Sequence, residues 1–429
     1  MSTSEASGLP QVTRRASAAP SPASPGATPS RPAFGAREGL AKLVAKNALL
    51  AVVTLGFYRF WARTAIRRFY WSNVAIGGER FEYTGTGAEL FVGFLIVMMV
   101  LTPLLGGFTI LQLLLDPESI AAMVMTLAYG AGIYVFIATA LFRARRYRLS
   151  RTRWRGIRFV QDGSTWRFIG LTLGWTAVVA VTLGLGFPWL RWAQQRYMMR
   201  CTSFGDRRFS FDGSPRALFW RWLLVFACFV IPVAIGMVVM ASVAFGIVPS
   251  APGEGDEAGA PVIPPELVWR LWAGSALMFF AFIAGGLAFL NYRIAEFRAF
   301  ASATALGAIT VRSEARVGPV IGAALRGVAA FLGGYALVAL AFLPVLAFQE
   351  ELPVAAMAVG IPLAIGFVAM FFVGLPLVIE LIVRFAILRH VVTTLELTHL
   401  ETLDDIVQSA AASPRVGEGL ADAFDIGTM

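Results

Sequence analysis

The chain has 429 residues, of which 57% are hydrophobic and only 14% are charged, and its formal net charge is +10. Soluble domains carry about 25% charged residues, so this composition excludes an ordinary globular enzyme. In a soluble protein the basic excess would indicate nucleic acid as a partner. In a membrane protein it indicates arginines that flank the membrane segments and set their orientation.

The first 38 residues are rich in Ser, Ala, Pro and Thr and contain no apolar run. Such a segment cannot bury enough apolar surface to offset its ordering entropy, so we expect residues 1–38 to be disordered. They lack the apolar core of a secretory signal peptide. Four arginines make transfer of this segment across a membrane unfavourable: Arg14, Arg15, Arg31 and Arg37.

Six later apolar runs are long enough to cross a bilayer, whose hydrocarbon core takes about 20 residues of helix. A buried core helix of a soluble protein rarely stays apolar for this length. The sequence therefore predicts six full transmembrane helices, at Leu90–Leu115, Ile120–Phe142, Leu218–Val248, Val268–Leu290, Val320–Phe348 and Val354–Val383.

The connections between these runs differ in charge. Three are acidic and contain neither Lys nor Arg, namely those at 116–119, 249–266 and 349–353. The others are rich in arginine and lie at 59–80, 143–165, 191–216 and 293–316. Short basic loops stay on the cytoplasmic side, so we expect these connections and both termini in the cytoplasm, beneath a bacterial inner membrane.

Two further apolar segments, roughly Leu40–Trp61 and Phe168–Trp189, carry basic residues at both ends. If each crossed once, one basic flank would lie outside. We therefore favour re-entrant or interfacial helices, and full crossing against the charge rule is the alternative. The two segments share a motif, whose residues are Thr54, Leu55, Gly56 and Trp61 in one copy and Thr182, Leu183, Gly184 and Trp189 in the other.

After each Arg-rich stretch comes a short segment of alternating apolar and polar residues, which is typical of a β-strand. The segments are 78–85 and 205–213, with weaker copies at 156–163, 307–314 and 394–399. Isolated short strands leave their edges unpaired, so we expect one small sheet beneath the membrane. The chain is then a degenerate internal repeat, at about 39–142, 166–291 and 292–405, with a cytoplasmic tail at 406–429.

These motifs resemble those of the YjgN family of bacterial inner-membrane proteins, whose function is unknown. The resemblance rests on residues 54–62, on 80–90 with Gly85 and Gly87, on Thr182-Leu-Gly184 and on 417–427. It covers most of the chain after about residue 38, and the N-terminal tail and the copy at 293–318 depart from it. The resemblance implies a multi-spanning membrane protein and supplies no catalytic residue, cofactor or substrate.

Glu380 is the candidate functional carboxylate, because it lies near the end of the last apolar run with Arg384 one helical turn further on. A carboxylate at membrane depth is costly, which makes it a candidate for handling protons or substrate. A structural ion pair at the interface is the other interpretation.

Glu89 follows Gly85-Thr-Gly87 and is interpreted as part of a helix cap in which Thr86 is the N-cap residue.

Seven arginines interleaved with Tyr147 and Trp154 predict binding to anionic lipid headgroups rather than to nucleic acid. They are Arg143, Arg145, Arg146, Arg148, Arg151, Arg153 and Arg155.

The two histidines (His390 and His399) and the two cysteines (Cys201 and Cys228) lack metal-ligand or disulfide spacing. We therefore expect no metal, no cofactor and no enzymatic activity.

Together these patterns predict an all-α polytopic membrane protein with six full transmembrane helices, two re-entrant or additional spanning segments, and short cytoplasmic β-strands. Internal repeats and helices interrupted by Gly and Pro favour a transporter- or permease-like protein for a lipid or a small hydrophobic or anionic substrate. Few polar groups lie within the runs, which argues against an ion pathway. The alternative is a membrane scaffold or envelope-organising protein whose cytoplasmic strands bind lipid or a partner. A homo-oligomer is compatible with either function.

Overall fold

The computed structural model describes residues 29–246, 264–348, 353–403 and 406–407. In these residues the chain forms ten helices and ten short strands, arranged as five consecutive units. Each unit has the order strand, helix, helix, strand, and its two strands pair with each other. Most of the predicted tails, at 1–28 and 408–429, lie outside the described residues, as do the acidic loop at 249–263 and the acidic residues at 349–352.

The five units follow one another without interruption. Unit 1 comprises β1 (Ala33–Phe34), α1 (Leu40–Val53), α2 (Arg59–Ser72) and β2 (Val74–Ile76). Unit 2 comprises β3 (Glu79–Tyr83), α3 (Gly87–Leu114), α4 (Ile120–Arg151) and β4 (Thr152–Trp154). Unit 3 comprises β5 (Ile157–Gln161), α5 (Thr165–Val181), α6 (Phe187–Arg200) and β6 (Thr202–Phe204). Unit 4 comprises β7 (Arg207–Phe211), α7 (216–246), α8 (Pro265–Ala303) and β8 (Thr304–Leu306). Unit 5 comprises β9 (Ile309–Ser313), α9 (Val317–Phe348), α10 (353–393) and β10 (Leu395–Leu397).

Units 2, 4 and 5 contain the long helices. Their six helices are each long and apolar enough to cross a membrane, which confirms the six predicted spans. Units 1 and 3 instead contain helices of 14 to 17 residues. At 1.5 Å per residue these are about 21–26 Å long, which is less than the roughly 30 Å of a hydrocarbon core. The long helices α7 and α10 also contain π-helical turns, at Phe226–Val230, Met370–Gly374 and Ile379–Arg384.

The ten strands form one antiparallel sheet in sequence order, which confirms that the predicted strands meet in a single sheet. Ser30, just before β1, exchanges two main-chain hydrogen bonds of 2.9 Å with Leu397 of β10. These bonds connect the first strand to the last and close the sheet into a ring. The mostly helical membrane architecture with short strands between the helices is therefore confirmed, and the sheet is larger than expected because each connection between units is a β-hairpin that contributes to this ring.

Residues 30–34 belong to the ring, although they fall within the segment 1–38 that is predicted to be disordered. Main-chain hydrogen bonds to β2 and β10 hold them, and such bonds leave no trace in composition. This part of the predicted disordered segment is therefore ordered. The three-residue strands β2, β4, β6 and β8 were also not predicted. Each begins within two residues of a helix end and is too short to show the alternation of apolar and polar residues.

One main-chain hydrogen bond recurs in every unit. The residue that follows the first strand of the unit donates its N–H to the carbonyl at the end of the returning helix. The five bonds are 2.8–2.9 Å long and join Gly35 to Asn73, Thr84 to Arg151, Asp162 to Cys201, Asp212 to Ala303 and Glu314 to Thr394. The tertiary structure thus repeats five times around the ring. The division into three repeats at 39–142, 166–291 and 292–405 stays a prediction.

The interior of the ring is apolar and is covered at its turn end by the segment after β10. Leu403 and Ile406 are buried against side chains of β4, β6, β8 and β9, namely Trp154, Phe204, Leu306 and Ile309. The main chain of Val407 accepts a hydrogen bond of 3.0 Å from Asp206 in the β6–β7 turn. About eight strands leave an interior that side chains just fill. A ten-stranded ring is wider, so large aromatic residues and this segment fill the additional space.

Candidate functional site: the junction between the helices and the ring

The predicted pair of Glu380 and Arg384 forms in α10, where Glu380 is 8% exposed. The carboxylate accepts hydrogen bonds of 2.9 Å from Arg384 Nη1 and 2.9 Å from the Tyr70 hydroxyl. Since Tyr70 belongs to α2, this carboxylate joins unit 5 to unit 1. Arg37, just after β1, also donates to the Leu381 carbonyl at 3.0 Å. These contacts support the structural interpretation, and a role in proton or substrate handling stays a prediction.

Glu89 forms a second, partly buried contact at the start of α3. The Thr86 side chain accepts a hydrogen bond from the Glu89 N–H at 3.3 Å, which confirms the predicted N-cap. The Glu89 carboxylate also accepts hydrogen bonds from the Tyr147 hydroxyl at 2.6 Å and from Arg151 Nη2 at 2.8 Å. The residue therefore ties the first turn of α3 to the end of α4, so that both ends of the long hairpin are fixed to the ring.

Glu296 in α8 is, with Glu380, a buried carboxylate at the junction, and sequence reasoning missed it. It is only 2% exposed, and it accepts a hydrogen bond from Arg191 Nε of α6 at 3.0 Å and another from Arg293 of its own helix. The spacing of three residues between Arg293 and Glu296 was the available signal, since such residues face each other on a helix. Tyr292, which is fully buried beside this group, has a hydroxyl without a hydrogen-bond partner among the described residues.

The arginines at 143–155 do not act as one group. Arg145 donates to Gln161, Thr202 and the Met198 carbonyl. Arg146 donates to the Gly163 carbonyl, and Arg151 binds Glu89. These three arginines are thus engaged within the protein.

The remaining four arginines differ in position. Arg143 is exposed on α4, Arg148 is partly exposed, Arg153 lies opposite Glu82 in the sheet, and Arg155 has φ 52° in the β4–β5 turn. Binding of lipid headgroups by these seven arginines stays a prediction.

The Thr-Leu-Gly motif forms the turn of each short helical hairpin. Leu55 and Leu183 both have φ 50°, and the glycines that follow have φ 89° and 98°. The Thr54 hydroxyl donates to the Leu50 carbonyl at 2.7 Å and accepts the N–H of Tyr58 at 2.9 Å. In the second copy of the turn, the Thr182 hydroxyl donates to the Val178 carbonyl at 2.7 Å and accepts the N–H of Gly186 at 2.9 Å. The motif reverses the chain, so both ends of each short hairpin lead to the ring.

The glycines before α3 allow close packing between α2 and α3. A Cβ atom at Gly87 would lie 2.6 Å from Trp61 Cγ and 2.7 Å from its Cα, so only glycine fits there. At Gly85 a Cβ would lie 2.5 Å from the Tyr83 hydroxyl. Trp189, which is equivalent to Trp61, packs on Phe219 of α7 at 5.3 Å between ring centroids. The motif residues therefore act in turns and helix contacts.

In the part of the chain that the structure describes, no group of three or more His, Cys, Asp or Glu is placed to hold a metal ion. His390 Nε2 accepts the N–H of Arg316 at 2.9 Å, and His399 Nδ1 lies 3.3 Å from a carboxylate oxygen of Glu401. Cys201 and Cys228 are free thiols. Burial raises the pKa of the Cys201 thiol, although Tyr197 and Arg208 act in the opposite direction.

Comparison with known proteins gives a family for this architecture. The family of bacterial proteins of unknown function DUF898 matches residues 33–423, which is most of the chain. The chain belongs to this family. It is 28% identical over 141 residues to the inner membrane protein YjgN of Escherichia coli K12, and 29% identical over 113 residues to that of Escherichia coli O157:H7. The YjgN protein of Salmonella typhimurium is 37% identical over 54 residues.

These alignments cover 33%, 26% and 14% of the respective relatives, and 33%, 26% and 13% of this chain. The alignments therefore span a third or less of the relatives. No solved structure matches the chain. The resemblance to the YjgN family is thereby confirmed, and the chain is a multi-spanning membrane protein whose homologues are named inner membrane proteins.

Proposed function

We propose that this protein binds and moves membrane lipids, as a permease-like protein that admits lipid between its three long helical hairpins. The observation that carries the proposal is the exposure of apolar side chains in several directions around the far end of α3. In α3, Leu111 is 47% exposed, Leu113 81% and Leu114 76%. Successive residues of a helix are about 100° apart, so these three side chains face three different directions.

The short hairpins explain this exposure. Units 1 and 3 flank unit 2 in the ring, and their helices end well below the far end of α3 and α4. Trp61 of α2 meets α3 at Gly87, and Thr176 of α5 meets α4 at the Tyr134 hydroxyl, 2.5 Å away. Towards the other end, α3 and α4 contact each other, through Phe108 and Tyr129 and through Gln112 and Thr126. Two openings therefore flank the unit 2 hairpin.

The turns of the short hairpins support entry into the membrane. Leu55 is 90% exposed and Leu183 is 81% exposed, and both have a left-handed conformation. This conformation costs an L-residue about 1–2 kcal/mol. Glycine would avoid the strain in water, whereas a leucine side chain gains its transfer free energy when it lies among acyl chains. We therefore interpret both hairpins as re-entrant, entering the membrane from the ring side and returning to it.

Re-entrant short hairpins also satisfy the charge rule. With six spans and two hairpins that return, the ring and all the Arg-rich connections lie on one side. The positive-inside rule places that side, with both termini, in the cytoplasm. Lipid phosphates would then lie near the arginines, and acyl chains would lie along the openings. Apolar openings suit a lipid better than an ion, because an ion needs polar groups along its path.

The scaffold alternative, in which the cytoplasmic strands bind lipid or a partner, receives less support for a partner that would add a strand to a free sheet edge. In the closed ring, β1 and β10 are joined through Ser30 and Leu397, so each described strand has neighbours on both sides. A partner strand would have to break these bonds before it could pair.

Lipid movement can be measured with purified protein in liposomes that contain a fluorescent phospholipid on both leaflets. We expect dithionite to quench about half of the fluorescence in empty liposomes and a much larger fraction when the protein moves lipid between leaflets. Leu183→Glu should lower the rate, because a charge at the turn opposes insertion, whereas Leu183→Gly should retain it. Quenching equal to that of empty liposomes would show that the protein does not move lipid.

Orientation is tested separately by cysteine labelling of intact cells. In a Cys201→Ser, Cys228→Ser background, Glu118→Cys should react with a membrane-impermeant maleimide from outside. Arg153→Cys in β4 should react only after the cells are opened. The reverse pattern would place the ring outside and would contradict the proposed orientation.

A further inference from the structure

We propose that the junction between unit 3 and α4 contains a binding site for a phosphate-type oxyanion, formed by Arg145 and the amide of Gln161. Arg145 projects from α4 onto β5, β6 and the end of α6. Its Nη1 atom lies 2.6 Å from Gln161 Oε1, 2.9 Å from Thr202 Oγ1 and 3.3 Å from the Met198 carbonyl. Its Nη2 atom lies 3.2 Å from the Met199 sulfur. All four of these acceptors are uncharged.

Several other arginines at the junction bind a carboxylate. Arg151 binds Glu89, Arg191 and Arg293 bind Glu296, and Arg384 binds Glu380. Arg145 has no carboxylate partner among the described residues. Arg148, three residues further along α4, carries a charge of the same sign and repels that of Arg145. Arg145 is partly buried, and a charge that is partly withdrawn from water is stabilised further when an opposite charge lies beside it.

Gln161 provides a second, independent observation. Its side chain is buried, with the residue 4% exposed, and its Nε2 atom has no hydrogen-bond partner in the described part of the chain. Because the Oε1 atom of the same amide accepts from Arg145, the unused donor lies close to the guanidinium group. An unsatisfied buried donor costs about 1–3 kcal/mol. An oxyanion at this point would accept from both groups at once.

The donors suit a phosphate group. A guanidinium group binds phosphate oxygens through parallel, charge-assisted hydrogen bonds, and a neutral amide can occupy a further oxygen. The phosphate could belong to a phospholipid headgroup or to a free phosphate ion, since the recognised chemistry is the same. The alternative is a purely structural Arg145 that caps the last carbonyls of α6, where Met198 lies.

The experiment uses the full chain, purified in detergent and depleted of lipid. Its thermal unfolding midpoint is measured with inorganic phosphate and with chloride at equal ionic strength, and retained phospholipid is counted by native mass spectrometry. For the wild type we expect a saturable rise of the midpoint with phosphate, or one phospholipid that stays bound. Arg145→Gln should lose both effects, whereas Arg143→Gln, on the exposed side of α4, should keep them.

Gln161→Glu separates loss of binding from loss of folding. It places a carboxylate beside Arg145, so the variant should be folded and at least as stable as the wild type without phosphate, but it should not respond to phosphate. A wild-type response to phosphate alone identifies a soluble oxyanion, and retention of phospholipid alone identifies a lipid headgroup. The proposal is overturned if the wild type shows neither effect, or if Arg145→Gln responds as the wild type does. None of these outcomes depends on the lipid-movement assay.

Discussion

Glu296→Gln tests whether a buried carboxylate holds the short hairpin of unit 3 against the long hairpin of unit 4. The carboxylate is 2% exposed and binds two arginines, Arg191 from α6 and Arg293 from α8. Glutamine preserves the size of the side chain but removes its charge. One amide oxygen can still accept from one arginine, whereas the amide NH₂ faces the other arginine as a second donor.

The magnitude follows from these contacts. A hydrogen bond to a charged group contributes about 1.5–3 kcal/mol. The two arginine side chains are 30% and 33% exposed, so water can partly replace the lost partner. The full penalty of about 3–5 kcal/mol for breaking a buried ion pair is therefore an upper bound. We expect Glu296→Gln to lower the free energy of unfolding by about 2–3 kcal/mol.

The assay is equilibrium unfolding in mixed micelles of a mild detergent and dodecyl sulfate, followed by circular dichroism. Glu118→Gln, in the exposed loop before α4, is the matched control and should change the free energy by less than about 0.5 kcal/mol. If Glu296→Gln unfolds like this control, the two hydrogen bonds contribute nothing and the reasoning fails. An increase in stability would show that desolvation of the carboxylate exceeds the attraction to the arginines.

Three further predictions concern the turns and the ring. Gly205→Ala should expose the segment 398–407 to hydrogen exchange, because the added Cβ would lie 2.4 Å from the Val407 carbonyl oxygen and Gly205 has φ 57°. Leu55→Gly should stabilise the protein in detergent by about 1 kcal/mol, because it removes the strain of a left-handed leucine, as measured by unfolding in mixed micelles. Cys201 should react with iodoacetamide at a rate that still rises between pH 8 and pH 9 in a Cys228→Ser background, because burial raises the pKa of its thiol and keeps it protonated in this range.

Each of these predictions has an outcome that contradicts it. Unchanged exchange at 398–407 in Gly205→Ala would mean that the segment does not rest on the β6–β7 turn, and Gly318→Ala, with open space around it, is the control. A loss of stability in Leu55→Gly would show that the leucine makes contacts that outweigh its strain. A rate for Cys201 that reaches a plateau below pH 8 would indicate a lowered pKa.

The sequence was sufficient for features that depend on local composition. The six spans are apparent because an apolar run of more than 20 residues has few other stable environments. The longer strand of each hairpin is apparent because its residues alternate between apolar and polar, as in β7, where Arg208 and Ser210 alternate with Phe209 and Phe211. The pair of Glu380 and Arg384 is apparent because residues four apart face each other on a helix.

The buried polar contacts at the junction could not be predicted from the sequence, because the residues that form them lie far apart in the chain. Glu296 meets Arg191 across 105 positions, and Glu380 meets Tyr70 across 310. Arg145 looked like one of seven lipid-facing arginines. Its distinctive feature is that the acceptors at Gln161 and Thr202 are uncharged, and only the packing of α4 against β5 and β6 shows this.

The sequence by itself thus determined a membrane protein with six spans, Arg-rich connections and recurring short strands, since these features follow from hydropathy, charge and period along the chain. Only the tertiary structure decided that Ser30 and Leu397 close the strands into a ring, and that tight turns at Leu55 and at Leu183 each join two short helices. The two turns form through local hydrogen bonds, whereas the ring is closed by main-chain hydrogen bonds between residues that are far apart in the chain. Such bonds depend on where the backbone lies in space and leave no signature in the side chains.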